Sequence, residues 1–271
     1  MKRAVHGTLC GKVTPPPSKS IAHRLLICAA LGKEPCSIVC SAVNEDIMAT
    51  MRCLNALGAK ITFSSGVFSV QPVCLEKGGM LDCGESGSTL RFLLSVAAAL
   101  GADTTFTGSG KLPQRPMDAL TSLLSSHGVT TNRLSKEELP LYCSGKLQPG
   151  SFSIPGNISS QYLTGLLFAL PLLPGDSEVE VVGEQTSASY IDMTLDALQQ
   201  AGIAVERSGN IYKIKGAQQY SLPSRVVVEG DWSSANCWLL IATARLIAPV
   251  CIWLISTRCL CRISQRTALT L

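Results

Sequence analysis

Lys19 and Arg24 stand where cations are not usually favoured. They fall in the first two turns of a helix that opens at Ser18-Lys19-Ser20-Ile21 and runs to Leu31, which Pro15-Pro16-Pro17 introduces and Gly32 stops. Ser18 or Ser20 can cap it by accepting a backbone N–H bond. The unpaired amides at that end already attract anions, so two cations there make chemical sense when an external anion joins them. The ordinary alternative is a pair of solvated surface charges.

Similar openings recur. Gly84-Glu85-Ser86-Gly87-Ser88-Thr89 with Arg91, and Ser159-Ser160-Gln161-Tyr162, each begin a small-residue-rich apolar helix. Gly87 would let a ligand come close to the backbone. Gln114-Arg115-Pro116 and Ser187-Ala188-Ser189-Tyr190 enter further helices. Each residue also has a plain reading. Ser159 and Ser160 serve as caps, and Arg115 is a loop arginine beside a helix-starting proline. Tyr190 is a core aromatic, and Arg91 is a member of a structural ion pair. Gly108-Ser109-Gly110-Lys111 looks like a phosphate loop. Thr105 replaces its required glycine, however, and Leu112 its Ser or Thr.

These positions need a scaffold that repeats. Helix openings at Ser20, Ser88, Ser160 and Ser233 lie roughly 70 residues apart. Between them run helices over 47–57, 117–126 and 191–200, each stopped by a glycine: Gly58, Gly128 and Gly202. Alternating strands around Ser64-Ser65-Gly66 and Ser208-Gly209-Asn210 read as hairpins. Each unit is therefore strand, helix, strand, helix, hairpin. Three units are complete, and a fourth opens at Val226-Val227-Val228. The first helices are apolar nearly all round, which buries them together and lets their tips meet in one anion site.

Composition allows this. Of 271 residues, 46% are hydrophobic and 15% charged, so a large core forms. The net charge of +4 suits acidic small molecules and is too weak for nucleic acid. Twelve scattered cysteines and three histidines show no metal-ligand spacing, and the cysteines read as reduced core residues of a cytoplasmic protein. Met1-Lys2-Arg3 has no apolar run behind it, so no signal peptide is expected. Arg245 and Pro249 interrupt the apolar run 238–255, which argues against a membrane helix.

The motifs named above, with Ser18-Lys19-Ser20-Ile21-Ala22-His23-Arg24 and Glu229-Gly230-Asp231-Trp232-Ser233, together resemble the 5-enolpyruvylshikimate-3-phosphate synthase family over about residues 5–247. The related UDP-N-acetylglucosamine enolpyruvyl transferases share the fold. They usually carry Asn after the first Lys, so Ser20 favours the shikimate enzymes.

The resemblance implies an α/β (α+β) enolpyruvyl transferase fold. A first lobe over 15–230 would hold three βαβαββ units, at about 15–80, 81–150 and 151–228. Residues 1–14 and 231–271 would be the remnant of a second lobe, with 249–271 an aberrant, truncated or frame-shifted end. The implied reaction moves a carboxyvinyl group from phosphoenolpyruvate to the 5-hydroxyl of shikimate 3-phosphate. It passes through a tetrahedral intermediate and uses no metal or organic cofactor. Lys19 and Gln161 would serve both substrates. Ser20 and Arg24 would hold the shikimate carboxylate, Ser159, Ser160 and Ser187 its phosphate, and Tyr190 its ring. Gly87 and Arg115 would line the phosphoenolpyruvate side, where the inhibitor glyphosate also binds. A monomer without nucleic-acid or membrane partners is expected. Glu85 stands where many members have Asn. The family's acid–base Asp and its second-lobe Lys, Glu and Arg residues are expected beyond residue 271. This chain alone would then be inactive, with a lobe that only binds shikimate 3-phosphate as the other reading.

Overall fold

A computed structural model describes residues 12–73, 78–156, 160–185, 187–231 and 269–270. Ser159, the helix opening at Ser233, the apolar run 238–255 and the 249–268 part of the tail lie outside the described residues. The chain divides into two units. One is formed by Met1–Ser18 with Glu229–Leu271, the other by Lys19–Val228.

In the first unit, β1 (Lys12–Val13) pairs antiparallel with Leu269–Thr270. Pro17 bridges Gly230, and the Ser18 amide donates to the Glu229 carbonyl at 2.8 Å.

The larger unit is built three times over. The first repeat has α1 (Lys19–Ala30), β2 (Cys36–Val39), α2 (Glu45–Ala56) and the hairpin β3 (Lys60–Ser64) with β4 (Val67–Gln71). The second has β5 (Met80–Asp82), α3 (Gly87–Leu100), β6 (Thr104–Thr107), α4 (Asp118–Ser125) and the hairpin β7 (Val129–Arg133) with β8 (Leu141–Gly145). The third has β9 (Ser151–Pro155), α5 (Ser160–Ala169), β10 (Ser177–Val182), α6 (Ala188–Gln200) and the hairpin β11 (Val205–Ser208) with β12 (Ile211–Ile214). Then comes β13 (Arg225–Val227).

Local chemistry explains these boundaries. Asn44 caps α2 by accepting the Ile47 amide, with Glu45 and Asp46 in the favoured first turn. Ser86 caps α3 through the Thr89 amide, and Gly101 ends it at φ 71°, where a side chain would be strained.

The repeats form three four-stranded sheets of one pattern. In order they are β13-β2-β4-β3, β5-β6-β8-β7 and β9-β10-β12-β11. In each sheet the first two strands are parallel and the remaining pairs antiparallel. Buried partners recur at matching places: Ile38 on Phe68, Phe106 on Leu141, Val179 on Tyr212.

Here the structure departs from the sequence reading. The segment taken to open a fourth unit is instead the leading strand of the first sheet, parallel to β2 in the register Val226–Ile38. Three repeats thereby close on themselves.

The core lies between the sheets. Residues 22–30 of α1, 162–169 of α5 and nearly all of α3 are buried. Such all-round apolar helices have no solvent face to spare. α3 packs most extensively on α5, and Gly165 sets their spacing. A Cβ there would lie 2.5 Å from the Arg91 carbonyl oxygen. Cys28, Cys36, Cys40, Cys53, Cys83 and Cys143 are free and buried. Among the described residues no helix is long and apolar enough to cross a membrane.

Candidate functional site

Side-chain contacts tie the N-terminal ends of α1 to α6 to one another. Lys19, the first residue of α1, reaches the Asp46 carboxylate in the first turn of α2 at 3.0 Å. The Thr89 hydroxyl on α3 lies 3.4 Å from the Asp46 carbonyl oxygen. Gln161 on α5 donates through Nε2 to the Ser88 hydroxyl on α3 at 2.9 Å. Arg24 on α1 donates to the Tyr190 carbonyl in the first turn of α6 at 2.8 Å. The Tyr162 hydroxyl on α5 donates to the Pro116 carbonyl just before α4 at 2.7 Å. Helix tips gathered this way sum their partial positive charges over one patch, which favours anions.

Beneath the tips runs a buried polar chain. His23 Nδ1 lies 2.7 Å from the Thr50 hydroxyl, Thr50 lies 2.7 Å from Thr89, and Thr89 donates to Ser86 at 2.7 Å. Burial holds His23 far below its usual 6.5, at about 3; Asp46 opposes the shift, while Lys19 and Arg24 add to it. The imidazole is therefore neutral in the native state. Between pH 6.5 and 3 the unfolded chain takes up a proton that the native chain refuses. Stability from this group is complete above about pH 6.5 and falls by about 1.4 kcal/mol per unit below it. Denaturant unfolding at pH 7 and pH 5 should show a loss of about 2 kcal/mol at the lower pH. Equal stability at both would refute the neutral histidine.

Arg24 is not a surface cation. It is only 3% exposed; Nε donates to Thr194 at 2.9 Å and the terminal nitrogens to the Ser20 and Tyr190 carbonyls at 2.8 Å each. Its guanidinium also lies over the Phe92 ring, 5.4 Å from the centroid. Burial lowers its pKa to about 10, against the pull of Cys28 and Tyr190, so it stays charged at neutral pH. The structure thus brings Ser20, Arg24 and Tyr190 together, with Arg24 as the clamp between α1 and α6.

A second group forms around Gly87. A Cβ at that position would lie 2.9 Å from a terminal nitrogen of Arg115 and 2.9 Å from one of Arg91. Arg91 donates to Gln161 Oε1 at 2.6 Å. No ion pair within 4.0 Å involves Arg91 or Arg115 among the described residues. Two guanidiniums thus face one glycine and an amide-rich helix tip without an acid to neutralise them.

Sequence reasoning gave Arg91 a structural ion pair. The signal it passed over was spacing, because position i+4 from Gly87 shares that residue's helix face. The Glu85 carboxylate packs against Gly110. Ser160 opens α5, half-buried. Ser187 caps α6 at φ 61° with no side-chain bond to the helix, and Tyr190 is 44% exposed. A non-glycine residue in the left-handed region costs roughly 1–3 kcal/mol, a strain often found at binding sites.

A separate cleft of about 440 Å³ lies on the third sheet, between Asp176, Glu178, Glu206, Lys213 and Lys215. No helix-tip residue lines it, and its carboxylates outnumber its lysines, which disfavours an anion.

Comparison with known proteins adds sequence-wide detail. A family model described as EPSP synthase (3-phosphoshikimate 1-carboxyvinyltransferase) matches residues 4–252. The 3-phosphoshikimate 1-carboxyvinyltransferase of Clostridium kluyveri is 41% identical over 236 residues, covering 85% of this chain and 54% of its own. That of Clostridium beijerinckii is 42% identical over 244 residues, covering 84% and 54%. The chain spans about half the length of the curated relatives it matches. A solved structure of EPSP synthase from Acinetobacter baumannii superposes with a TM-score of 0.74 at 23% identity, over 85% of this chain and 52% of that one. This likeness shows the enolpyruvyl transferase fold.

Proposed function

The chain belongs to the EPSP synthase family, and from that premise we propose that its Lys19–Val228 unit binds the two anionic substrates of a carboxyvinyl transfer. Phosphoenolpyruvate would give its enolpyruvyl group to the 5-hydroxyl of shikimate 3-phosphate, with release of phosphate. The supporting observation is the gathering of helix tips around Lys19, Arg91 and Arg115, cations that polyanionic substrates need.

In this reading Lys19 gives up Asp46 for substrate. The exchange is cheap, because the pair is 46% and 31% exposed and exposed pairs contribute little. Ser160, Ser187 and Ser159 take the shikimate phosphate. Ser20 and the Arg24 clamp fix the carboxylate side, and Tyr190 covers the ring. Gly87 and Arg115 hold phosphoenolpyruvate, and Gln161 sits between the substrates. The residues named here bind and orient; attack by the hydroxyl on the enol carbon and protonation of the methylene carbon follow from that alignment. A cytoplasmic monomer belongs to the same proposal.

Calorimetric titration with shikimate 3-phosphate tests it. Saturable heat with Kd at or below about 1 mM is expected. Absence of heat at several millimolar would overturn it. Phosphate release with both substrates then separates a catalytic chain from one that only binds.

A further inference from the structure

We infer that Arg91 is a positioning residue, which sets the end of the Gln161 amide that faces the tip of α3. This rests on the reading of the helix tips as the substrate site.

The two ends of a glutamine amide differ, since the oxygen only accepts and the nitrogen only donates. Arg91 donates to Oε1 at 2.6 Å, a short charge-assisted bond. Nε2 is thereby turned to the Ser88 hydroxyl, 2.9 Å away in the first turn of α3. Were the amide reversed, its nitrogen would meet a guanidinium, donor against donor.

Arg91 is itself held in place. It is 9% exposed, and its guanidinium carbon lies 5.6 Å from the centre of the Tyr162 ring, whose hydroxyl is anchored on Pro116. Its Nε is buried without an acceptor among the described residues. Among the described residues Arg91 has no acid partner within 4.0 Å, and a buried cation placed so, with an unmet donor, is a poor stabiliser, which favours a role in the site. The donor end of Gln161 then faces the patch where an anion sits, and a carbonyl oxygen there would repel it.

A double-mutant cycle on shikimate 3-phosphate affinity tests the coupling. Gln161→Ala and Arg91→Met should each lose about tenfold, and the double variant no more than Gln161→Ala alone. Multiplying losses would mean that Arg91 acts on its own and would overturn the inference. NMR without ligand gives a second readout. The Gln161 side-chain amide protons should show an Overhauser contact to Ser88 in the native chain, absent in Arg91→Met and restored in Arg91→Lys. If Arg91→Met does not fold, Arg91→Gln replaces it. Its amide both donates and accepts, so two Gln161 orientations should appear. A single unchanged orientation overturns the inference. If the native chain shows no binding heat, the substrate reading fails and the amide signals alone decide the role of Arg91.

Discussion

Alanine at Gly87 should weaken phosphoenolpyruvate binding by about tenfold or more while leaving the fold intact. The new methyl would lie 2.9 Å from the terminal nitrogens of both Arg91 and Arg115, closer than carbon and nitrogen tolerate. The two arginines cannot respond equally. Arg115 is exposed, carried on a loop, and swings away at little cost. Arg91 is held by Gln161 and the Tyr162 ring, so it resists. The pair therefore separates, and the methyl fills the gap above the helix tip where a carboxylate or phosphate would reach the amides. Since the strain escapes through a surface side chain, melting should fall by no more than about 2 °C. Titration followed by the amide resonances of Ser88 and Thr89 reads the affinity. Native affinity in this variant would remove Gly87 from the site.

Gly165→Ala should do the reverse, costing stability before affinity. Its Cβ would meet the Arg91 carbonyl oxygen at 2.5 Å and the Ser95 hydroxyl at 3.0 Å. The first of these is backbone inside a buried helix and has no room to turn aside. α3 and α5 must part, and close-packed helices resist that along their whole contact. A loss of about 3 kcal/mol is expected, lowering the melting temperature by roughly 6–12 °C for a unit of this size. Because Arg91 and Gln161 ride on those two helices, their bond should lengthen as well. Melting within about 2 °C of the native chain would show that the helices are not held at Gly165.

Much of this was written locally. Hairpins announce themselves through alternation and a Gly-containing turn, and the helices through their caps and apolar faces. Lys19, Gly87, Arg115 and Gln161 could be picked out because their motifs stand at helix entrances. Other features depend on partners that no window of sequence contains. β13 pairs with β2 across most of the chain, so three valines near residue 227 looked like a new beginning. Arg24 looks like a tip cation in sequence. It lies inside because Thr194 and Tyr190, from the third repeat, supply its acceptors. Arg91 looked like half of an ion pair, and its partner is a neutral amide on another helix. In each case the deciding contact spans repeats, where periodicity carries no information.

The closing strand Arg225–Val227 also sets a timetable for synthesis. The first sheet stays one strand short while the two later repeats are being translated. At roughly 5–20 residues per second, the edge of β2 waits about 10–40 s for its neighbour. During that interval the oldest part of the nascent chain offers an unpaired strand to any other chain nearby.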